Sequence, residues 1–596
     1  MVVQVVDFSL ADSNPLNPLG LKLRKLIWES LDNAEKDDHV TSLIFTGGSS
    51  RAFSAGADLT EFGKLEGAAS ISGVGEGFYP LVELVNKIEG FPKPIVAAIS
   101  GVALGGGLEV ALSCHYRVTD KTGSFGLPEV HVGVIPGAGG TQRLPRLVGL
   151  TTALDMILTG NSIDARHALE FGLVDHVAID KPLLQAAKAW AEWAELMPLD
   201  DRRVGSLTIQ ETSEQAKKIF QFAIKKLPHP GMGGQGVHAA LKAVEACRLP
   251  ISEGSQVELS YFLETLAGSQ GKARRHAFFA VRQAQKPLGR APKGHPLLAN
   301  SLENEQAAVI GAGLMGSGIA LVLLQAGFTV YLVDVYDQSL QKGVAFLKNT
   351  IESYVKKGRM TREKAEKLQG SLKPTQNMND LSTCKLVVEA VIEDLTVKKN
   401  ILSSLEKIVP FNAILLSNTS TLDIDAMASV LSPARRSLFG GWHFFSPAHV
   451  MKLVEIVVGK ATSHETICVL QQLTKRIKKI GVVVGNCDGF VGNRMLISYS
   501  AETTLLLEEG VATVQSVDKA LLKFGMAMGP FQMGDLAGLD IGYNIRKQRG
   551  WVRVGDSPPR FRPQRYPELG DDLVSKLKRF GQKSGKVSTM PTMSQI

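Results

Sequence analysis

The chain has 596 residues, 44% of them hydrophobic and 21% charged, with a formal net charge of +8. At about 150 residues per domain that is enough for three or four domains, and the composition is that of a globular enzyme rather than a disordered or fibrous chain. No apolar run reaches the ~18 residues of a membrane span. The N-terminus MVVQVVDFSL lacks the basic region, apolar stretch and small-residue cleavage site of a secretory signal. Five scattered cysteines without a CxxC pair argue against a disulfide framework or a zinc cluster and fit a reducing compartment. The basic residues are dispersed and not interleaved with aromatics, so nucleic acid is not an expected partner, whereas small anionic ligands are.

Taken in chain order, residues 1–180 alternate short apolar runs with glycine turns: SLIFTGG, then PIVAAISGVALGGGLEVALSC, then the loop GSFGLPEVHVGVIPGAGGTQRLP. The first two runs read as strands, each followed by a glycine loop and a helix. FSAGADLTEF, ISGVALGGGLEVALSC and FGLPEVHVGVIPGAGGTQRLPR occur in order with consistent spacing, and through them residues 1–190 resemble the crotonase (enoyl-CoA hydratase/isomerase) family. The resemblance implies an α/β spiral fold acting on acyl-CoA thioesters. A thioester reacting at its α or β carbon develops an enolate, whose oxygen needs two rigid donors. The resemblance assigns these to the backbone N–H groups of Ala57 and Gly106, where small residues let the thioester approach. Hydration of a double bond needs an activated water and a proton delivered to carbon, which two carboxylates share. Glu109 and Glu129, 20 residues apart, are the candidates. Having both favours a hydratase; isomerisation of 3-enoyl-CoA to 2-enoyl-CoA could use Glu129 alone.

Residues 181–280 are more helical, as in LLQAAKAWAEWAEL and EQAKKIFQFAIKKL, and ARRHAFFAVRQAQ is a further amphipathic helix. QKPLGRAPKGHP, rich in proline, glycine and basic residues, is the best linker in the chain, so a helical extension and linker are expected over 191–296.

From 305 a strand–helix pattern resumes: TVYLVDV, KLVVEAV, NAILLSN, VEIVVG and GVVVG read as strands of a mostly parallel sheet. VIGAGLMGSGIA carries Gly311, Gly313 and Gly316 as GxGxxG between a strand and a helix. The first glycine permits the tight turn, the second leaves room for a pyrophosphate and the third lets helix and strand pack closely. Asp334, at the end of the next strand, suits a ribose 2′-hydroxyl, so NAD is expected in preference to NADP. With VVEAVIEDLTVKK, SNTSTL, HFFSPAHVMKLVEIV and GFVGNRM, the stretch 307–580 resembles the 3-hydroxyacyl-CoA dehydrogenase family. His443 and Glu455, twelve residues apart across a turn, read as an imidazole base tuned by a carboxylate. The resemblance implies that His443 takes the 3-hydroxyl proton, Glu455 pairs with it, and Ser420 and Asn493 hydrogen-bond the substrate. It also implies that Glu393 and Lys398 contact the cofactor. Asn418 ends a strand where open sheets bind ligands, and the role of Ser446 is less defined because relatives carry Asn there.

The expected architecture is α/β: a crotonase-like domain over 1–190, the extension and linker, a Rossmann-type NAD-binding domain over 305–484, an all-helical dehydrogenase domain over 485–580 and a disordered tail over 581–596. Hydratase first and dehydrogenase second resembles the fused two-step enzymes of fatty-acid β-oxidation, whose peroxisomal members are monomeric and carry a second, related helical domain. Two expectations follow from its apparent lack here. An apolar face between about 490 and 550 is exposed and favours self-association, and, as an alternative, only the hydratase/isomerase is active because the dehydrogenase half is impaired. The C-terminus MSQI is not an SKL-type signal, so a peroxisomal location rests on resemblance, with the cytosol as the other possibility. A non-catalytic acyl-CoA-binding scaffold is the contrasting class, but it predicts loss of the acids or the histidine, and all are present.

Overall fold

The computed structural model describes residues 2–585 apart from 49–50, 66–78, 229–232, 304, 554–562 and 564. Backbone contacts divide it into one unit over residues 1–278 with 523–525 and another over the remainder. The tail expected to be disordered lies outside the described residues from 586 onward, while Gln582–Ser584 forms a short 3-10 turn.

The first unit is α/β and, among its described residues, carries nine strands: β1 (Val2–Asp7), β2 (Val40–Thr46), β3 (Ala52–Ser54), β4 (Ile95–Ile99), β5 (Val102–Leu104), β6 (Tyr116–Asp120), β7 (Ser124–Gly126), β8 (Ile163–Asp164) and β9 (His176–Ala178). They form a parallel sheet of order β1-β2-β4-β6-β9 and a second sheet of order β3-β5-β7-β8. From β2 onward the strands come in pairs, β2/β3, β4/β5 and β6/β7, one for each sheet, with helical segments between the pairs. The apolar run read as one strand, PIVAAISGVAL, is therefore two: β4 in the first sheet and β5 in the second, broken at Gly101, whose φ of 68° makes the corner. The Gly106–Ser113 helix that follows is buried at every position, its Glu109 included.

The second unit holds β10 (Gln306–Ile310), β11 (Thr329–Val333), β12 (Leu372–Thr375), β13 (Leu386–Glu389), β14 (Ile414–Ser417), β15 (Phe439–Phe444), β16 (Leu453–Val458) and β17 (Ile480–Gly485) in one sheet of order β12-β11-β10-β13-β14-β15-β16-β17. All neighbours are parallel except β15 with β16. Edge strand β12 was not expected; its LKPT sequence has a proline and little apolar character, which an edge tolerates. Helices Gly492–Glu508, Val514–Phe524, Pro530–Ala537, Leu539–Gln548 and Leu569–Ser575 follow the sheet. The linker is not free: the Leu288 N–H donates to Gln471 Oε1 at 3.0 Å, and a Cβ on Gly289 would lie 2.5 Å from His464 Nε2, so the segment lies flush on helix His464–Arg476.

Candidate active sites

In the first unit, the turn after β3 runs against the turn after β5. A Cβ on Gly56, at φ 97°, would lie 2.7 Å from Leu104 O, and one on Gly106 would lie 3.4 Å from Ala57 N. Two backbones approach this closely only without side chains. The N–H groups of Ala57 and Gly106 are thereby neighbours, and neither has an acceptor among the described residues. That is the geometry of a donor pair kept for a ligand oxygen, with the N-terminus of the Gly106–Ser113 helix adding positive potential.

Glu109 sits one turn into that helix, buried, and its Oε1 accepts from the N–H of Ala138 at 2.7 Å and of Gly140 at 2.9 Å. Burial pushes its carboxyl upward, against those two donors. Glu129 heads the 3-10 turn Glu129–Val132 rather than an open loop. Its Oε2 is buried without a hydrogen-bond partner, and a Cβ on Gly105 would lie 2.8 Å from its Oε1. Burial first, then the negative charge of Glu109, raises the Glu129 carboxyl well above the ordinary range. The two acids therefore interact and are unequal: Glu109 is supported by backbone donors from the facing turn, whereas Glu129 has only its own backbone N–H.

Sequence reasoning missed a third acid. Glu258, on helix Ile251–Ala267, is buried and accepts from Gly139 N, Thr141 N and Thr141 Oγ1 at 2.5, 2.8 and 2.5 Å. The available signal was position: Gly254, Glu258, Phe262 and Leu266 all lie on the buried face of that helix, where an acid is out of place.

In the second unit, Gly311 has φ 103°, and a Cβ there would lie 2.6 Å from Ala390 O. A Cβ on Gly316 would meet Gly311 O at 1.8 Å, so strand and helix Leu314–Ala326 pack backbone to backbone. Gly313 differs: a Cβ there meets nothing within 4 Å, and it opens the helix without a side-chain cap. The open space and the uncapped N–H groups fit a dinucleotide pyrophosphate. Asp334 Oδ2 accepts from Ala312 N at 2.9 Å, which ties the end of β11 to the glycine turn. Gly313→Val is accordingly expected to leave the thermal midpoint unchanged while weakening NAD at least about tenfold, or ~1.4 kcal/mol; calorimetric titration and a melting curve separate the two.

His443 on β15 and Glu455 on β16 are direct partners in the antiparallel register, and His443 Nδ1 lies 2.7 Å from Glu455 Oε2. Glu455 Oε1 accepts from Val491 N at 3.1 Å and Gly492 N at 2.9 Å, at the start of helix Gly492–Glu508. Burial raises the Glu455 carboxyl, but the bonds from His443, Gly492 and Val491 outweigh it and the net direction is down. A charged Glu455 holds the Nδ1–H tautomer, which leaves Nε2 as the acceptor. His443, Asn418, Ser420, Asn493, Glu393, Gly313 and Asp334 all line one cleft of about 2920 Å³. Asn493 Nδ2 donates to Ser420 O at 3.0 Å, and Asn418 Oδ1 accepts from Phe444 N at 2.8 Å, so both amides are already oriented by backbone. Glu393 Oε1 gathers Thr419 Oγ1, Ser420 N and Thr421 N at 2.5, 2.8 and 3.1 Å. Burial raises its carboxyl, yet Lys398 and these donors bring it below the ordinary value.

The expectation that Lys398 contacts the cofactor needs correction. Its side chain is fully buried, 2.7 Å from Glu389 Oε1 and 3.4 Å from Glu393 Oε2, and does not line the cleft. A lysine buried to this degree is held by its two carboxylates. Ser446 lines the cleft beside His443.

Comparison with known proteins gives three family matches: enoyl-CoA hydratase/isomerase over residues 3–229, the NAD binding domain of 3-hydroxyacyl-CoA dehydrogenase over 306–487, and the 3-hydroxyacyl-CoA dehydrogenase C-terminal domain over 489–588. Relatives include the peroxisomal bifunctional enzyme of Danio rerio, 41% identical, over 96% of this chain and 77% of that one. That of Homo sapiens is 39% identical over the same shares. The glyoxysomal fatty acid beta-oxidation multifunctional protein MFP-a of Cucumis sativus is 39% identical over 88% of this chain and 72% of its own. The alternative in which only the first half works is overturned. A C-terminal dehydrogenase domain is matched over 489–588, and its first helix supplies the N–H groups that hold Glu455 and the amide that meets Ser420.

Proposed function

The chain belongs to the peroxisomal bifunctional enzyme family, and from that premise we propose how its residues divide two consecutive reactions. The protein is an enoyl-CoA hydratase and an NAD-dependent 3-hydroxyacyl-CoA dehydrogenase of fatty-acid β-oxidation. In the first unit, the N–H groups of Ala57 and Gly106 hold the thioester oxygen as it gains charge. Glu109, supported by Ala138 and Gly140, takes a proton from water. The water oxygen bonds to C3, and Glu129, kept protonated by burial, delivers its proton to C2. The unequal environments of the two acids carry this assignment.

In the second unit, the glycine turn at Gly311, Gly313 and Gly316, with Asp334 and Glu393, would hold NAD, which would supply the acceptor for the C3 hydride. His443 Nε2 takes the hydroxyl proton, and the resulting imidazolium is stabilised by Glu455. Ser420 and Asn493 orient the hydroxyl, while Glu393, Asn418, Asp334 and the three glycines shape the cofactor half of the cleft. One lining runs from Gly313 and Asp334 to His443, Ser420 and Asn493, so cofactor and substrate would meet side by side. Isomerisation of 3-enoyl-CoA in the first site uses the other protonation state of the pair, in which the Glu129 carboxylate takes the proton from C2 and the carboxyl so formed returns it to C4.

The domain spans proposed are 1–190, 191–296, 305–484 and 485–580. We assign the protein to the peroxisome, the compartment named for its animal relatives, and co-fractionation with peroxisomal markers tests this. Val491, Met495, Val511, Leu536 and Ile541 are exposed apolar side chains within the 490–550 segment and support self-association. One experiment addresses the reading as a whole. The purified chain, given crotonyl-CoA alone, is expected to lose the enoyl absorbance; NAD then yields NADH, and light scattering on the same sample gives the mass. Loss of the enoyl band without NADH, even from supplied 3-hydroxybutyryl-CoA, overturns the two-step reading.

A further inference from the structure

Four consecutive backbone N–H groups at the start of helix Gly140–Thr159 are shared alternately between two buried acids. Ala138 and Gly140 donate to Glu109, and Gly139 and Thr141 donate to Glu258. A helix start has orphan donors and a positive end, and here both are divided between a carboxylate of the hydratase spiral and one from the helical extension. The approach is built in. A Cβ on Gly254 would lie 2.1 Å from Gln142 Oε1, and one on Gly137 would lie 2.6 Å from the Phe262 ring, so helix Ile251–Ala267 closes directly on this turn. Gly139, at φ 93°, lets successive N–H groups face opposite ways.

We propose that Glu258 is a positioning residue of the hydratase site: it anchors the turn that holds Glu109, and where it ionises, on the alkaline side, its charge holds the last proton on the Glu109–Glu129 pair. The inference rests on the reading of those two acids as the working pair. The charges around it are few. Glu109 and Glu129 face it from the spiral, and Arg143, one turn along the same helix, is paired with Glu89 at 2.8 Å. Arg275 of helix Ser269–Ala284 donates to Leu266 O at 2.6 Å, and Lys242 pairs with Glu245 at 2.8 Å on the neighbouring helix. Burial and then Glu109 push the Glu258 carboxyl up to about 8. Three acids in one dry pocket titrate together, and each resists ionisation of the others.

The sign follows. At alkaline pH, where Glu258 is ionised as well, the last proton of the working pair leaves against its charge, so removing that charge lets the proton leave at lower pH. Glu258→Gln is expected to lower hydration kcat about 10- to 100-fold with little change in KM, and to move the alkaline limb of the kcat profile to lower pH. Glu258→Asp keeps the charge and restores the limb even where kcat stays reduced. Oxidation of supplied 3-hydroxybutyryl-CoA by the same preparations reports on integrity of the chain. A folded Glu258→Gln protein with an unmoved limb overturns the proposal, as does an Asp variant whose limb matches Gln. Glu109→Gln and Glu129→Gln run alongside: if these retain hydration, the reading of the pair fails instead.

Discussion

Glu129→Gln is expected to lower enoyl-CoA hydration by about 10²–10⁴-fold, the usual worth of a positioned proton donor, while leaving oxidation of supplied 3-hydroxyacyl-CoA unchanged. The change is nearly isosteric, so the donor pair at Ala57 and Gly106 and the packing of Gly105 on the side chain persist. What disappears is the proton. Stability runs the other way. A carboxyl raised on folding binds its proton more tightly in the native state, so it costs stability once pH exceeds its unfolded value. Gln removes that cost, and the variant should melt at or above the parent at neutral pH, with the difference vanishing in acid. Loss of both activities in a protein that still melts cooperatively would falsify the separation of sites.

His443→Ala should do the reverse: oxidation falls about 10²–10⁴-fold, and hydration stays. On the proposed mechanism the imidazole receives the hydroxyl proton, with Nδ1 engaged by Glu455 and Nε2 left to act. Removing it also takes one partner from a buried carboxylate, at a cost of about 1–3 kcal/mol, softened because Val491 and Gly492 still donate to the other oxygen. Glu455→Gln keeps the imidazole but loses the support for its charged form, and should reduce oxidation less than the alanine does. Steady-state NADH production from 3-hydroxybutyryl-CoA orders the three proteins. An alanine variant with parental turnover sinks the assignment.

Both predictions use residues visible in the linear chain because they sit in local motifs. Glu109 follows a glycine-headed helix start, Glu129 follows Pro128, and the three glycines of the dinucleotide turn fall within six residues. Local steric demands write themselves into neighbouring residue types, so fold class, domain order and most of the site could be read directly. Less local features could not. Lys398 has the right motif for a cofactor contact, yet the fold buries it between Glu389 and Glu393. Exposure depends on what packs above a residue, and no short window contains that. PIVAAISGVAL reads as one strand because apolar content looks the same in either sheet; only pairing partners split it.

What the sequence by itself determined is therefore the chemistry on offer: two acids, an imidazole with its carboxylate, and a glycine turn for a dinucleotide. What only the tertiary structure decided is how those groups are charged and held. Glu258 stands 149 positions from Glu109, counting 258 − 109, yet the two divide one helix start between them. Hydrogen-bond donors are shared, and charges interact, through distances in space set by helix packing, and chain separation carries no record of those distances.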